Sequence, residues 1–159
     1  MNQKIDYKQI APDADASLLS LEQYIHQSHL DPMLVKLVKY RVAQINGCPA
    51  CLDKYSNLLI KEGESTQRLS TVSVWRATTL FSERERAALT WAEALTRVSE
   101  ISPKERDLTF ELVKGQFTEK ELVDLTMAII VINSWNRLHI AFGILPVATK
   151  KASEMKAAS

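Results

Sequence analysis

Signals for helix starts are the feature that most constrains the fold of this chain. Three capping boxes, in which a Ser or Thr precedes a Glu by three residues, begin at Ser82, Ser102 and Thr118. Asp31 adds a further N-cap, because Pro32 follows it at the first helical position. Only four glycines occur, and no stretch repeatedly alternates polar and apolar residues. The chain is therefore predicted to be all-α.

Apolar residues at helical spacing give the approximate helix positions. We predict helices over about 17–28, from residue 31 to about 45, over 49–62 and over 118–142. The last of these is apolar on nearly all sides from Leu122 to Ile132, which predicts a buried central helix.

Chain length and composition favour one domain. A chain of 159 residues with 46% apolar residues can bury a substantial core. We expect a single domain over residues 1–159, with a core over about 17–145, an N-terminal arm over 1–16 and a C-terminal tail over 150–159.

Charge and hydropathy exclude several classes of function. Lys and Arg number 20 against 19 acidic residues, and no basic stripe interleaved with aromatic residues occurs, so no nucleic-acid partner is expected. The N-terminus lacks the apolar segment of a signal peptide, and the longest apolar run, 127–132, is too short to cross a bilayer. We expect a cytoplasmic protein with no membrane partner.

The chain has only two cysteines, Cys48 and Cys51, and they flank Pro49-Ala50. Gly47 can adopt the left-handed conformation that ends a helix, so the cysteines are predicted to begin the second helix of a tight antiparallel hairpin. Two sulfurs within one turn can form a disulfide, and amides at a helix start stabilise a thiolate. Close cysteines in the cytoplasm are more often catalytic or metal-binding than structural. The pattern therefore predicts a dithiol redox site.

Other interpretations of the cysteines compete with this one. They are the right size for small core residues, and with the pair His26 and His29 they would provide four zinc ligands. We favour a solvated helix end for His26 and His29. On the long apolar helix, His139 is expected to be an interior or interface histidine rather than a catalytic one.

The residues around the cysteines resemble the signature of AhpD-like alkylhydroperoxidases within the carboxymuconolactone decarboxylase family. The likeness covers about residues 30–145. It is carried by Arg41-Val42-Ala43-Gln44-Ile45-Asn46-Gly47-Cys48, Cys51-Leu52-Asp53, Glu62-Gly63-Glu64, Gln67-Arg68-Leu69, Val74-Trp75-Arg76, 81–89, 91–96 and 132–138. The resemblance implies an AhpD-like helical fold that assembles into homo-trimers or homo-hexamers.

The resemblance also implies thiol redox chemistry. No haem, flavin or nucleotide fingerprint occurs in the sequence, so no cofactor is expected, and no metal site is predicted. The partners that the resemblance implies are a hydroperoxide substrate and either a dithiol reductant or a peroxiredoxin that receives electrons. On the family pattern Cys51 attacks peroxide and Cys48 resolves the sulfenic acid into a disulfide. The position of Cys48 at a helix start instead predicts that Cys48 is the more acidic thiol. The sequence therefore leaves open which cysteine attacks peroxide.

Two positions depart from the family pattern. Tyr55 stands where the family has a histidine, and Lys36 stands where it has a glutamate. Helical spacing places Tyr55 on the sulfur face, where a phenol can donate a hydrogen bond but is a poor base. Lys36 can stabilise a thiolate by its charge, and Asp53 or Glu62 are alternative bases. We expect peroxidase activity that is weaker or differently tuned.

Two further functions remain open at this point. The first is a non-catalytic redox sensor or interaction protein whose dithiol changes shape or assembly on oxidation. The second is a carboxymuconolactone decarboxylase-like enzyme, which would have no use for two redox thiols. Self-association is expected from the apolar long helix and from the large side chains Trp75, Trp91 and Trp135.

Overall fold

The computed structural model describes residues 3–147, and every regular element in that range is helical. The all-α prediction is confirmed. The α-helices are α1 (Tyr7–Ile10), α2 (Pro12–His26), α3 (Pro32–Asn46), α4 (Pro49–Lys61), α5 (Thr66–Thr71), α6 (Glu83–Thr96), α7 (Pro103–Lys114) and α8 (Glu119–Phe142), with a 3-10 segment over Val72–Ala77.

Side-chain caps define the helix starts as the sequence predicted. Ser82, Ser102 and Thr118 each accept a hydrogen bond from the amide of the Glu three residues later, and that Glu accepts one from the cap's own amide. Asp31 caps α3 by accepting from the Met33 amide at 2.9 Å. These local bonds explain why α3, α6, α7 and α8 begin where the sequence analysis placed them.

Helices α3 and α8 form the centre of the molecule. Helix α3 packs against α4, α6 and α8, and α8 also packs against α2. The α8 side chains Ala128, Ile129, Val131 and Ile132 are at most 1% exposed, which confirms the predicted central helix. Each aliphatic side chain of this size stabilises the fold by roughly 1.5–3 kcal/mol when fully buried.

Residues 3–16 of the N-terminal arm pack on the helical core. Helix α2 begins at Pro12 rather than near residue 17, and α1 precedes it. The Lys4 amide donates to the Phe142 carbonyl at 2.8 Å, and the ring of Tyr7 lies 5.7 Å from that of Phe142. A four-residue helix carrying one aromatic residue is too short to give a periodic signal. The predicted tail at 150–159 lies outside the described residues.

The three tryptophans do not need a second chain to cover them. Trp75, Trp91 and Trp135 are 3%, 7% and 9% exposed within the single chain, so the part of the self-association argument based on them is wrong. Exposed apolar side chains on α8 remain, at Val123 and Ile130. Self-association stays a prediction. Within residues 3–147, no helix has the length and apolar character needed to span a membrane.

Candidate dithiol site

The two cysteines lie at the tip of the hairpin formed by α3 and α4. Gly47 ends α3 in the left-handed conformation, with φ of 66°, and Cys48 is the N-cap of α4. The Cys48 Sγ atom accepts a hydrogen bond from the Cys51 amide at 3.4 Å. Both thiols are free, and the two residues are 0% and 2% exposed. The local sequence therefore places two buried, unbonded sulfurs on one helical turn.

His139 comes from the last turn of α8 and contacts both sulfurs. Its Nδ1 atom lies 3.3 Å from Cys51 Sγ and 4.0 Å from Cys48 Sγ. The three atoms lie within 4.8 Å of one another. The ring packs between Trp135, at 5.8 Å, and Tyr7, at 6.4 Å. His139 thus belongs to the candidate site, whereas the sequence predicted an interior or interface histidine. The only local signal in the sequence is one polar ring on an apolar helix.

The pKa values of the two cysteines are shifted in opposite directions. A hydrogen bond from the Cys51 thiol lowers the pKa of Cys48 to about 5; burial opposes this shift, while hydrogen bonds from His139 and the Cys51 amide add to it. The reciprocal hydrogen bond to Cys48, together with burial, raises the pKa of Cys51. These shifts favour a thiolate on Cys48 over one on Cys51, as the position of Cys48 at a helix start predicts.

A cavity of about 150 Å³ reaches only one of the two sulfurs. Cys51 lines it together with His139, whereas Cys48 does not. The remaining lining residues are Tyr7, Lys8, Asp15, Leu19, Lys54, Tyr55, Ile132 and Trp135. A small molecule in this cavity would meet Cys51, with Cys48 behind it. Both cysteines pack in the hydrophobic core, and the cavity distinguishes Cys51 from Cys48.

Tyr55 lies one turn beyond Cys51 and separates this cavity from a second one. The second cavity has a volume of about 100 Å³, and Tyr55 and Lys54 line both. Burial raises the pKa of Tyr55 well above its usual value, and the charges of Glu22 and Cys51 raise it further. Its phenol therefore stays protonated, so it can donate a hydrogen bond but cannot act as a base near neutral pH.

Lys36 lines the second cavity and not the one with Cys51. Its ammonium is bound to Glu62, with Nζ 2.6 Å from Oε2. Asp53 accepts a hydrogen bond from Asn57 at 3.1 Å. In the structure, groups other than the sulfurs interact with Lys36, Glu62 and Asp53.

A buried ion pair that the sequence analysis did not find lies in the wall of the second cavity. Lys39, which is 3% exposed, binds Glu22 of α2, and Glu22 also accepts from the Trp135 indole at 3.1 Å. Burial lowers the pKa of Lys39, and Glu22 opposes that shift. Together with the Trp135 indole, the ion pair joins residues from α2, α3 and α8. No local spacing in the sequence predicts these contacts.

The structure does not combine His26 and His29 with the cysteines. Over residues 3–147, one group of three potential metal ligands occurs, and it consists of Cys48, Cys51 and His139. Two sulfurs and an imidazole nitrogen are ligands that zinc accepts, with a fourth ligand to come from the cavity. The four-ligand zinc interpretation built on His26 and His29 is therefore wrong.

Comparisons with known proteins agree with this geometry. The sequence profile described as "Carboxymuconolactone decarboxylase family" matches residues 12–94. The chain belongs to the carboxymuconolactone decarboxylase family. It is 35% identical over 143 residues to the uncharacterized protein YdfG of Bacillus subtilis strain 168, covering 90% of this chain and 96% of YdfG.

Solved structures identify the AhpD-like branch of the carboxymuconolactone decarboxylase family. A protein of unknown function from Agrobacterium tumefaciens, named as a candidate antioxidant defence protein AhpD, is 34% identical, with a TM-score of 0.87 over 93% of this chain and all (100%) of that one. An uncharacterized peroxidase-related protein with an AhpD core, from Ralstonia eutropha JMP134, shares the fold at 17% identity and a TM-score of 0.75, over 88% of this chain and 74% of that one. The resemblance found in the sequence and the AhpD-like fold are confirmed.

Proposed function

We propose that this protein is a thiol oxidoreductase of antioxidant type that reduces organic hydroperoxides with its Cys48/Cys51 dithiol. The observation that carries the proposal is the group of two free sulfurs and the His139 nitrogen, within 4.8 Å of one another, at a cavity that Cys51 lines. A dithiol with one low pKa and one sulfur that lines a cavity has the parts that peroxide reduction requires.

Cys51 is the attacking sulfur in this proposal. Its proton moves to Cys48, whose sulfur lies within 4.8 Å, and His139 Nδ1, at 3.3 Å, stabilises the new Cys51 thiolate. The thiolate attacks the terminal peroxide oxygen, so an S–O bond forms while the O–O bond breaks. Cys51 becomes a sulfenic acid, and the alkoxide takes the proton of Cys48 through His139, which contacts both sulfurs.

Cys48 then completes the oxidation. Its thiolate attacks the sulfur of the Cys51 sulfenic acid, hydroxide leaves and takes a proton from solvent, and a disulfide forms. The dithiol has lost two electrons, and the hydroperoxide has become an alcohol and water. An external dithiol restores the protein by thiol–disulfide exchange, and a peroxiredoxin disulfide is a second acceptor for the same electrons.

The two departures from the family pattern receive different roles. Tyr55 reaches the Cys51 cavity as a protonated phenol, and we propose that it donates a hydrogen bond there. Lys36 is bound to Glu62 at the second cavity, and we assign it an indirect electrostatic role in place of a contact with sulfur. His139 supplies the proton relay that Tyr55 cannot supply. We also propose that the protein forms a homo-trimer or homo-hexamer and acts in the cytoplasm, where free thiols persist.

The test is a single-turnover reaction of reduced protein with one equivalent of cumene hydroperoxide, followed by intact mass and cumyl alcohol. The expected result is one equivalent of alcohol and a mass loss of two hydrogens. Cys51→Ser should abolish alcohol formation, and Cys48→Ser should stop the reaction at a sulfenic acid. In a second assay with excess dithiothreitol and cumene hydroperoxide, disulfide formation without repeated turnover would instead favour the redox-sensor alternative. Unchanged alcohol formation in Cys51→Ser would overturn the mechanism.

A further inference from the structure

We infer that Tyr7, from the N-terminal arm, is a substrate-binding residue of the Cys51 cavity and donates a hydrogen bond to the peroxide oxygen that leaves. The inference rests on the proposed function and deepens it. Tyr7 is 6% exposed and lines the cavity together with Cys51. Among residues 3–147, its buried hydroxyl has no hydrogen-bond partner.

Asp15 lines the same cavity and carries a second unpartnered polar atom. Its Oδ1 atom is buried and has no hydrogen-bond partner among the described residues, and Asp15 lines the cavity with Tyr7 and Cys51. Leaving a buried polar group unpaired destabilises a folded protein, and most such groups find partners. Two of them at one cavity, next to a reactive sulfur, indicate a site built for a polar ligand.

The position of Tyr7 is fixed by the core. Its ring lies 5.7 Å from Phe142 and 6.4 Å from His139, and the adjoining backbone is held by the hydrogen bond from the Lys4 amide to the Phe142 carbonyl. Tyr7 and His139 therefore belong to one wall of the cavity. Tyr7 lies N-terminal to the family match at residues 12–94, whereas Asp15 lies within it.

The two unpartnered atoms have complementary hydrogen-bonding roles. Burial raises the pKa of Tyr7, and the charges of Asp15 and Cys51 raise it further, so Tyr7 remains a donor. The Asp15 carboxylate is an acceptor. A hydroperoxide offers an O–H group to Asp15 and an oxygen acceptor to Tyr7.

The role of Tyr7 in the reaction is to stabilise charge. As the O–O bond breaks, the oxygen bonded to carbon becomes an alkoxide, and a donor placed at that oxygen is worth most in the transition state. Tyr7 keeps its own proton, and the alkoxide is protonated through His139 as described above.

The remaining lining of the cavity indicates what kind of substituent the substrate carries. Leu19, Ile132 and Trp135 provide an apolar lining in a volume of about 150 Å³. Together with the polar atoms of Tyr7 and Asp15, this lining fits a small organic hydroperoxide with an apolar substituent.

The first arm of the test compares Tyr7→Phe with the matched control Tyr40→Phe, which removes a hydroxyl outside the cavity. We expect Tyr7→Phe to lower kcat/KM for cumene hydroperoxide by about 10- to 100-fold. Re-reduction of the protein disulfide by dithiothreitol should stay unchanged, because that step involves no alkoxide. Tyr40→Phe should leave both rates unchanged.

The second arm measures binding without chemistry. In Cys48→Ser/Cys51→Ser, which cannot reduce peroxide, cumene hydroperoxide should shift the Trp135 indole signal in NMR spectra. Adding Tyr7→Phe should weaken its Kd by about tenfold, whereas adding Tyr40→Phe should not. Thermal unfolding and far-ultraviolet circular dichroism confirm that each variant is folded.

The two arms separate the two claims. Turnover by the wild type with kcat/KM unchanged in Tyr7→Phe overturns the role of Tyr7 and leaves the proposed function standing. Tyr7-dependent binding without wild-type turnover overturns the proposed function and supports the binding site. Binding that is unchanged by Tyr7→Phe overturns the inference in either case.

Discussion

The two cavities on either side of Tyr55 differ in how their polar groups are satisfied. In the second cavity, Lys39 is bound to Glu22 and Lys36 to Glu62. In the Cys51 cavity, the Cys51 thiol is free, and the Tyr7 hydroxyl has no partner among the described residues. Paired charges contribute to the fold, whereas unpaired groups remain available to a ligand. The second cavity, with its ion pairs, is therefore the paired side of Tyr55. The Cys51 cavity, with its unpaired groups, is the side that we propose to be reactive.

The largest effect on stability is expected from breaking the Lys39–Glu22 ion pair on the paired side. Lys39→Met leaves the Glu22 carboxylate without its ammonium partner in a mostly buried position, and we expect unfolding to become easier by about 3–5 kcal/mol. Urea denaturation followed by circular dichroism measures this change.

Two controls accompany Lys39→Met. The double variant Glu22→Gln/Lys39→Met should recover much of the lost stability, because no unpaired charge remains. Removing the exposed pair Arg97–Glu100 should cost at most about 1 kcal/mol. Equal losses at both sites would contradict the distinction between the two regions.

The next effect concerns the reactive side. His139→Gln keeps a polar side chain of similar size but removes the proton relay between the sulfurs and the cavity. We expect kcat/KM for cumene hydroperoxide to fall about 100-fold, since proton transfer by a positioned side chain contributes that much or more. Stopped-flow kinetics measures it, with the exposed His29→Gln as control. A rate within twofold of the wild type would exclude the relay.

The pH dependence of the dithiol gives a smaller effect. Because the folded pKa of Cys48 is about 5, below its usual value, the thiolate persists at neutral pH and disappears as the pH falls through about 5. Ultraviolet thiolate absorbance and the rate of peroxide reduction should both fall over that range. Cys51→Ala removes the hydrogen-bond donor to Cys48, so the midpoint should rise by at least about one unit, or about 1.4 kcal/mol. An unchanged midpoint would show that the helix start alone sets the acidity.

The smallest effect is expected from Lys36→Met. The ion pair with Glu62 is partly exposed, with side-chain exposures of 16% and 39%, so its loss should cost less than about 1 kcal/mol. Peroxide turnover should change by less than about threefold, because Lys36 does not line the Cys51 cavity. A loss of turnover comparable to that of His139→Gln would place Lys36 in the reaction and remove the contrast between the cavities.

Helix boundaries were predictable from the sequence because caps act locally. Ser82, Ser102 and Thr118 bond to amides three residues away, and Gly47 turns the chain by its own conformation. The same local geometry places Cys48 and Cys51 on one turn, with Cys48 accepting the amide of Cys51. The all-α fold, the hairpin and the dithiol were therefore accessible without coordinates.

Only the tertiary structure placed the partners of the dithiol. His139 lies 88 residues from Cys51 in the chain, and Tyr7 comes from a helix of four residues that has no periodic signal. Packing of α8 and the arm against the hairpin brings these side chains to one cavity, and such long-range contacts depend on the summed burial of whole helices. For the same reason, Lys36 was assigned to the sulfurs by sequence position, whereas the fold pairs it with Glu62.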